Sequence, residues 1–141
     1  MSEDAEQMAL MAKLHVAKWR GHPLSDFAFA VPNGGSRHPA EGAKLKRMGV
    51  LAGVPDLIVP IPAGRFHGLG LELKAQGGRL QPSQREYLAK LRWLGWQTAV
   101  AFGADEAFAA ITRYLADTGH PVHIGYSPDP QIDWATWEID R

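Results

Sequence analysis

From Leu69 to Lys74 the chain sets Leu69, Leu71 and Leu73 alternately with Gly70, Glu72 and Lys74, a period of two that belongs to an extended strand. The leucine face demands a core, and the other face is charged. Upstream, Pro55 and Asp56 open the apolar run Leu57, Ile58 and Val59, which reads as a strand. Pro60, Pro62, Gly64 and Gly68 punctuate a hairpin-length connection between the two. Downstream, Pro82 suits a first helical position, and Gln84, Tyr87, Leu88, Leu91 and Leu94 fall on one face until Gly95 ends the helix. Gln97 to Phe102 then reads as a strand and Asp105 to Leu115 as a final helix.

At the other end, Ser2 caps a helix with Glu3, Asp4 and Glu6 in its first turn, and its apolar positions extend it over roughly residues 3 to 19. Phe27 to Val31 is a short strand that Pro32, Asn33, Gly34 and Gly35 turn into a loop over residues 33 to 39. A short helix from about Ala40 to Met48 follows. The resulting order is α-β-α-β-β-α-β-α, an α/β fold with a mixed four-stranded sheet flanked by helices. Residues 1 to 116 form one domain. Residues 117 to 141, with Pro121, Pro128, Pro130, Trp134 and Trp137 and no period, are expected to be an irregular tail packing on the body or on a partner.

A chain of 141 residues can bury roughly two thirds of its unfolded surface, so one core suffices. With no cysteine, dithiol chemistry and thiolate zinc sites are excluded. Neither a membrane-length apolar run nor a secretory leader pattern is present, so the expected location is cytoplasmic and no membrane partner is expected. Fifteen basic and fifteen acidic residues cancel, which alone argues against a polyanionic partner. The distribution argues otherwise. Residues 13 to 92 hold 13 Lys or Arg against 5 Asp or Glu, a segment of +8, while residues 1 to 12 carry −3 and residues 93 to 141 carry −5. Such a segment can line a phosphate-binding surface if it also clusters in space.

Asp56 and, sixteen positions later, Glu72 with Lys74 are the residues able to do chemistry. If the two strands pair as neighbours, three ionisable groups converge. Two carboxylates a few Å apart repel, and a hard divalent cation such as Mg²⁺ relieves that repulsion through oxygen ligands. It can polarise a phosphoryl oxygen, and Lys74 beside it can orient a water or meet developing negative charge. Taken singly, a Glu-Leu-Lys is an ordinary solvated charge pair and an Asp after Pro a turn residue. Their order and spacing give them weight.

Val31-Pro32-Asn33-Gly34-Gly35, then Gly49 to Asp56 (GVLAGVPD), Gly70 to Lys74 (GLELK), and Gly78-Arg79-Leu80 with Gln84 and Gly95 together resemble the VRR-NUC family of the PD-(D/E)xK nuclease superfamily, over about residues 3 to 115. The resemblance implies a restriction-endonuclease-like core and DNA cleavage with Mg²⁺, for which Mn²⁺ substitutes. It further implies a structure-specific endonuclease of the stand-alone phage or bacterial type, a homodimer acting on branched DNA such as four-way junctions. By the same resemblance Asp56 and Glu72 are metal carboxylates, Lys74 the catalytic lysine and Gln84 the glutamine of the following helix. Glu3 is the expected N-terminal helix carboxylate at the metal, with Glu6 in reserve. Asn33, Arg37, Lys44, Lys46 and Arg47 are candidate DNA contacts. Gln81 departs from the family, where a Ser commonly caps the helix. His120 and His123 have metal-like spacing but no third ligand and are read as structural.

Two other functions compete with a Mg²⁺-dependent endonuclease. One is a non-catalytic DNA-binding subunit of a repair or packaging assembly on the same fold. The other, a phosphohydrolase of small nucleotides, needs a phosphate-gripping glycine loop that the sequence lacks.

Overall fold

The computed structural model describes residues 1–32 and 38–139. Among the described residues there are four α-helices, α1 (Glu3–Val16), α2 (Pro39–Arg47), α3 (Pro82–Trp93) and α4 (Ala104–Leu115), and seven strands. The strands are β1 (Ala17–Trp19), β2 (His22–Pro23), β3 (Phe29–Ala30), β4 (Leu57–Val59), β5 (Leu69–Lys74), β6 (Gln97–Phe102) and β7 (His123–Ile124). The main sheet runs β3-β4-β5-β6, antiparallel except for the parallel β5–β6 pair that α3 connects. It is a mixed four-stranded sheet flanked by helices, as the sequence predicts.

β5 is the spine, because both its faces are covered. All six of its residues are buried. Leu69, Leu71 and Leu73 pack in one core with Leu57 and Val59 of β4, Leu10 and Leu14 of α1, and Ala107 and Ile111 of α4. Each buried leucine contributes about 1.5–3 kcal/mol. The opposite face meets α3. A Cβ on Gly70 would lie 2.8 Å from Leu91 Cδ1, so the missing side chain lets α3 approach the sheet. Glu72 and Lys74, on that same face, are therefore enclosed rather than half exposed, at 1% and 5% relative exposure.

Three local expectations need correction. α1 stops at Val16 because the next backbone groups are claimed by a second, three-stranded antiparallel sheet, β2-β1-β7. There Lys18 faces Pro23 on one side and His123 on the other, around a turn in which Arg20 and Gly21 both take positive φ. Second, the expected strand at residues 27 to 31 shrinks to Phe29–Ala30, since a 3-10 turn at Leu24–Asp26 occupies the preceding stretch. Third, the irregular region after residue 116 contains β7, a strand too short to leave a period in the sequence. Further along, Trp134 packs on His22 at 4.9 Å between ring centroids, and the Ile132 N–H donates to His22 Nε2 at 2.9 Å.

Candidate active site

The register of the β4–β5 ladder sets Leu57 opposite Leu71, which carries Asp56 to the level of Glu72 on the α3 face. The Leu73 backbone N–H fixes Asp56 by donating to Oδ2 at 2.8 Å. Because that oxygen lies against the backbone of β5, the Asp56 carboxylate cannot swing away to solvent as a turn residue would. Gly53, three residues earlier, makes the approach possible. Its φ is +87°, and a Cβ there would stand 2.3 Å from the Ser83 carbonyl oxygen. The loop carrying Asp56 thus rests on the first turn of α3.

That turn supplies Gln84. Its Oε1 accepts from the Gln81 N–H at 2.8 Å and its Nε2 donates to Glu72 Oε1 at 3.0 Å, so the network fixes which way the amide points. Lys74 Nζ lies 3.7 Å from the same Glu72 oxygen. The other oxygen, Oε2, is buried without a donor. Burial pushes the Glu72 carboxyl up to about 8, and the adjoining Asp56 carboxylate pushes in the same direction through hydrogen bonding and charge. Lys74 opposes this shift, and Glu3 adds a smaller contribution to it.

An undonated buried carboxylate oxygen beside a second carboxylate suits a hard cation that prefers oxygen ligands, so the residues fit a divalent metal. Among the described residues no three Asp, Glu or His side chains cluster as a cage. Asp56 and Glu72 are the pair; Glu3 is near enough for Glu72 to sense its charge. Glu6 is engaged elsewhere. Its Oε2 accepts from the Ala104 N–H at 2.6 Å and caps α4, a role the sequence analysis missed because the partner lies 98 residues away. The Leu73 N–H on Asp56 and the Gly53–Ser83 approach also left no sequence signal beyond a glycine before Pro-Asp.

Of the candidate DNA contacts, Lys44, Lys46 and Arg47 form the exposed last turns of α2. Asn33 and Arg37 lie outside the described residues. His120 packs edge-on against Trp19 at 6.1 Å. No helix among the described residues is long and apolar enough to cross a membrane.

Comparison with known proteins identifies the family of the fold. The family model of the VRR-NUC domain matches residues 13–105. A solved structure described as a VRR-NUC domain protein is 36% identical, with a TM-score of 0.74, and the alignment covers 82% of this chain and 89% of that one. No curated protein matches.

Proposed function

The chain belongs to the VRR-NUC domain family, a nuclease-type domain, and from that premise we propose that it is a Mg²⁺-dependent, structure-specific DNA endonuclease. The observation that carries this reading is Glu72 Oε2, a buried acceptor without a donor, next to Asp56 and on the carboxylate that faces Lys74. Asp56 and Glu72 would hold the cation, with Glu3 as a further carboxylate at the site. When bound, the cation supplies charge neutralisation at a phosphodiester and a lowered pKa for water. The chain's own groups do the rest. The Leu73 N–H and the Gln84 amide keep the two carboxylates in place, and the Lys74 ammonium orients the attacking water or stabilises charge on the phosphoryl oxygens.

Branched DNA, such as a four-way junction, is the proposed substrate and a homodimer the proposed state; Mn²⁺ substitutes for Mg²⁺. The family resemblance supports these, and half-exposed Trp134 and exposed Trp137 supply apolar surface for a second subunit. The proposed setting is the cytoplasm of a bacterium or phage-infected cell. As a division of the chain, we propose a nuclease domain over residues 1 to 116 and a tail from 117 to 141.

A cleavage panel of duplex, flap, single-stranded and four-way-junction DNA, with and without Mg²⁺ or Mn²⁺, tests the proposal. Asp56→Ala and Glu72→Ala abolish cutting and leave DNA binding largely intact. Undiminished cutting by Glu72→Ala ends the assignment. The second reading is a non-catalytic DNA-binding subunit on the same fold. Tight junction binding without a nick under either metal establishes that reading instead.

A further inference from the structure

A cleft of about 700 Å³ opens between α2 and the first turns of α3. Leu45 and Lys46 of α2, Val50 and Leu51 of the following loop, and Ser83 and Glu86 of α3 line it. α2 has no buried residue, and Val50 and Leu51 are 49% and 51% exposed. Ser83, on one wall, also carries the carbonyl on which Gly53 of the Asp56 loop rests.

Its charge narrows the occupant. Lys44, Lys46 and Arg47 crowd the last turns of α2 against a single acid, Glu41, in its first. Glu86 on the opposite wall is 3.7 Å from Lys90, which offsets its charge. A second copy meeting this face with its own would oppose like charges. A strand of nucleic acid with unpaired bases satisfies both features, since it presents phosphates to the lysines and flat apolar faces to the aliphatic side chains. Paired duplex keeps its base faces stacked and offers only their edges, in the grooves.

We propose that this cleft binds a single-stranded stretch of the DNA substrate, with unstacked bases on Leu45, Val50 and Leu51 and the backbone along Lys46. The proposal rests on the nuclease reading and adds to it one feature of branched substrates that carry an unpaired arm: the cleft reads whether a strand is paired, not its sequence.

The test measures binding to two oligonucleotides without divalent cation. One is a fully paired duplex; the other is the same duplex with a single-stranded arm carrying a fluorescent adenine analogue. The wild type binds the armed oligonucleotide about tenfold more tightly and changes the analogue's emission. The double variant Val50→Gln, Leu51→Gln, at exposed positions the fold tolerates, loses that preference and the emission change. Equal wild-type affinity for both oligonucleotides, or a preference that survives the double substitution, overturns the proposal and leaves the nuclease reading standing. Wild type that binds neither oligonucleotide also overturns the proposal, and the cleavage panel on branched DNA with Mg²⁺ or Mn²⁺ decides the nuclease reading separately. A double variant whose mass in light scattering falls from dimer to monomer assigns the face to a second copy and also overturns the proposal.

Discussion

Gln84 Nε2 donates to Glu72 Oε1 at 3.0 Å, and this contact links the first turn of α3 to the buried centre of β5. Lys74 stands 3.7 Å from the same oxygen. Gln84→Ala removes the amide's hydrogen bond and leaves a nearly fully buried carboxylate less satisfied, at a cost of about 1–3 kcal/mol. Urea denaturation checks the stability, and cleavage by the variant falls because Glu72 loses its orientation. Full retention of both stability and cleavage would show that Gln84 does not position Glu72.

The raised pKa of Glu72 predicts a pH dependence of definite sign. In the metal-free chain the folded state keeps the proton up to about pH 8, whereas the unfolded state releases it near 4.5. The stabilisation from this group is therefore complete below the unfolded value and declines as pH rises from there to about 8. The proposed divalent cation would compete with that proton. Mg²⁺ binding near neutral pH accordingly releases about one proton and tightens as pH rises. Calorimetry in buffers of different ionisation enthalpy reads this directly, and binding without proton release contradicts it.

Glu72→Gln separates stability from function. At pH above 8 the metal-free wild type carries a buried negative charge, and the amide removes it while preserving shape. The variant gains about 1–3 kcal/mol at that pH and loses cleavage. Thermal melts at high and low pH reveal whether the gain is confined to alkaline conditions, as the argument requires.

Gly53→Ala tests the loop that delivers Asp56. The added methyl meets the Ser83 carbonyl at 2.3 Å and the residue must hold φ +87°, so the loop moves or the helix yields. A loss of about 2–4 kcal/mol is expected, together with weakened metal binding. A neutral substitution would mean that Asp56 does not depend on this approach.

Glu3 and Glu6 lie a turn apart and are expected to diverge. Glu6→Gln weakens the charged cap on the Ala104 N–H and lowers stability by about 1 kcal/mol, with little effect at the site. Glu3→Gln leaves stability nearly unaltered and reduces metal affinity. Chemical denaturation and metal titration of both variants read the two effects apart; the reverse pattern assigns Glu6 to the site.

The strands at Leu57–Val59, Leu69–Lys74 and Gln97–Phe102, and the helix from Pro82, were legible because each rests on local signals. Side-chain period and turn residues act within a few positions. Asp56, Glu72, Lys74 and Gln84, which the structure brings together, were singled out in the sequence by the order and spacing of their motifs and by the family resemblance. The sequence held no trace of the Ala104 N–H that engages Glu6.

The sequence by itself thus determined the alternation of elements and which side chains share a strand face. Tertiary structure alone decided that the charged face of β5 would be enclosed, that Asp56 would be held by the Leu73 N–H, and that Ala17–Trp19 would leave α1 for a small sheet with His123–Ile124. The physical reason is range. Backbone preference and periodicity are properties of neighbours in the chain, whereas burial, a raised pKa and strand pairing depend on groups that only the folded chain brings together.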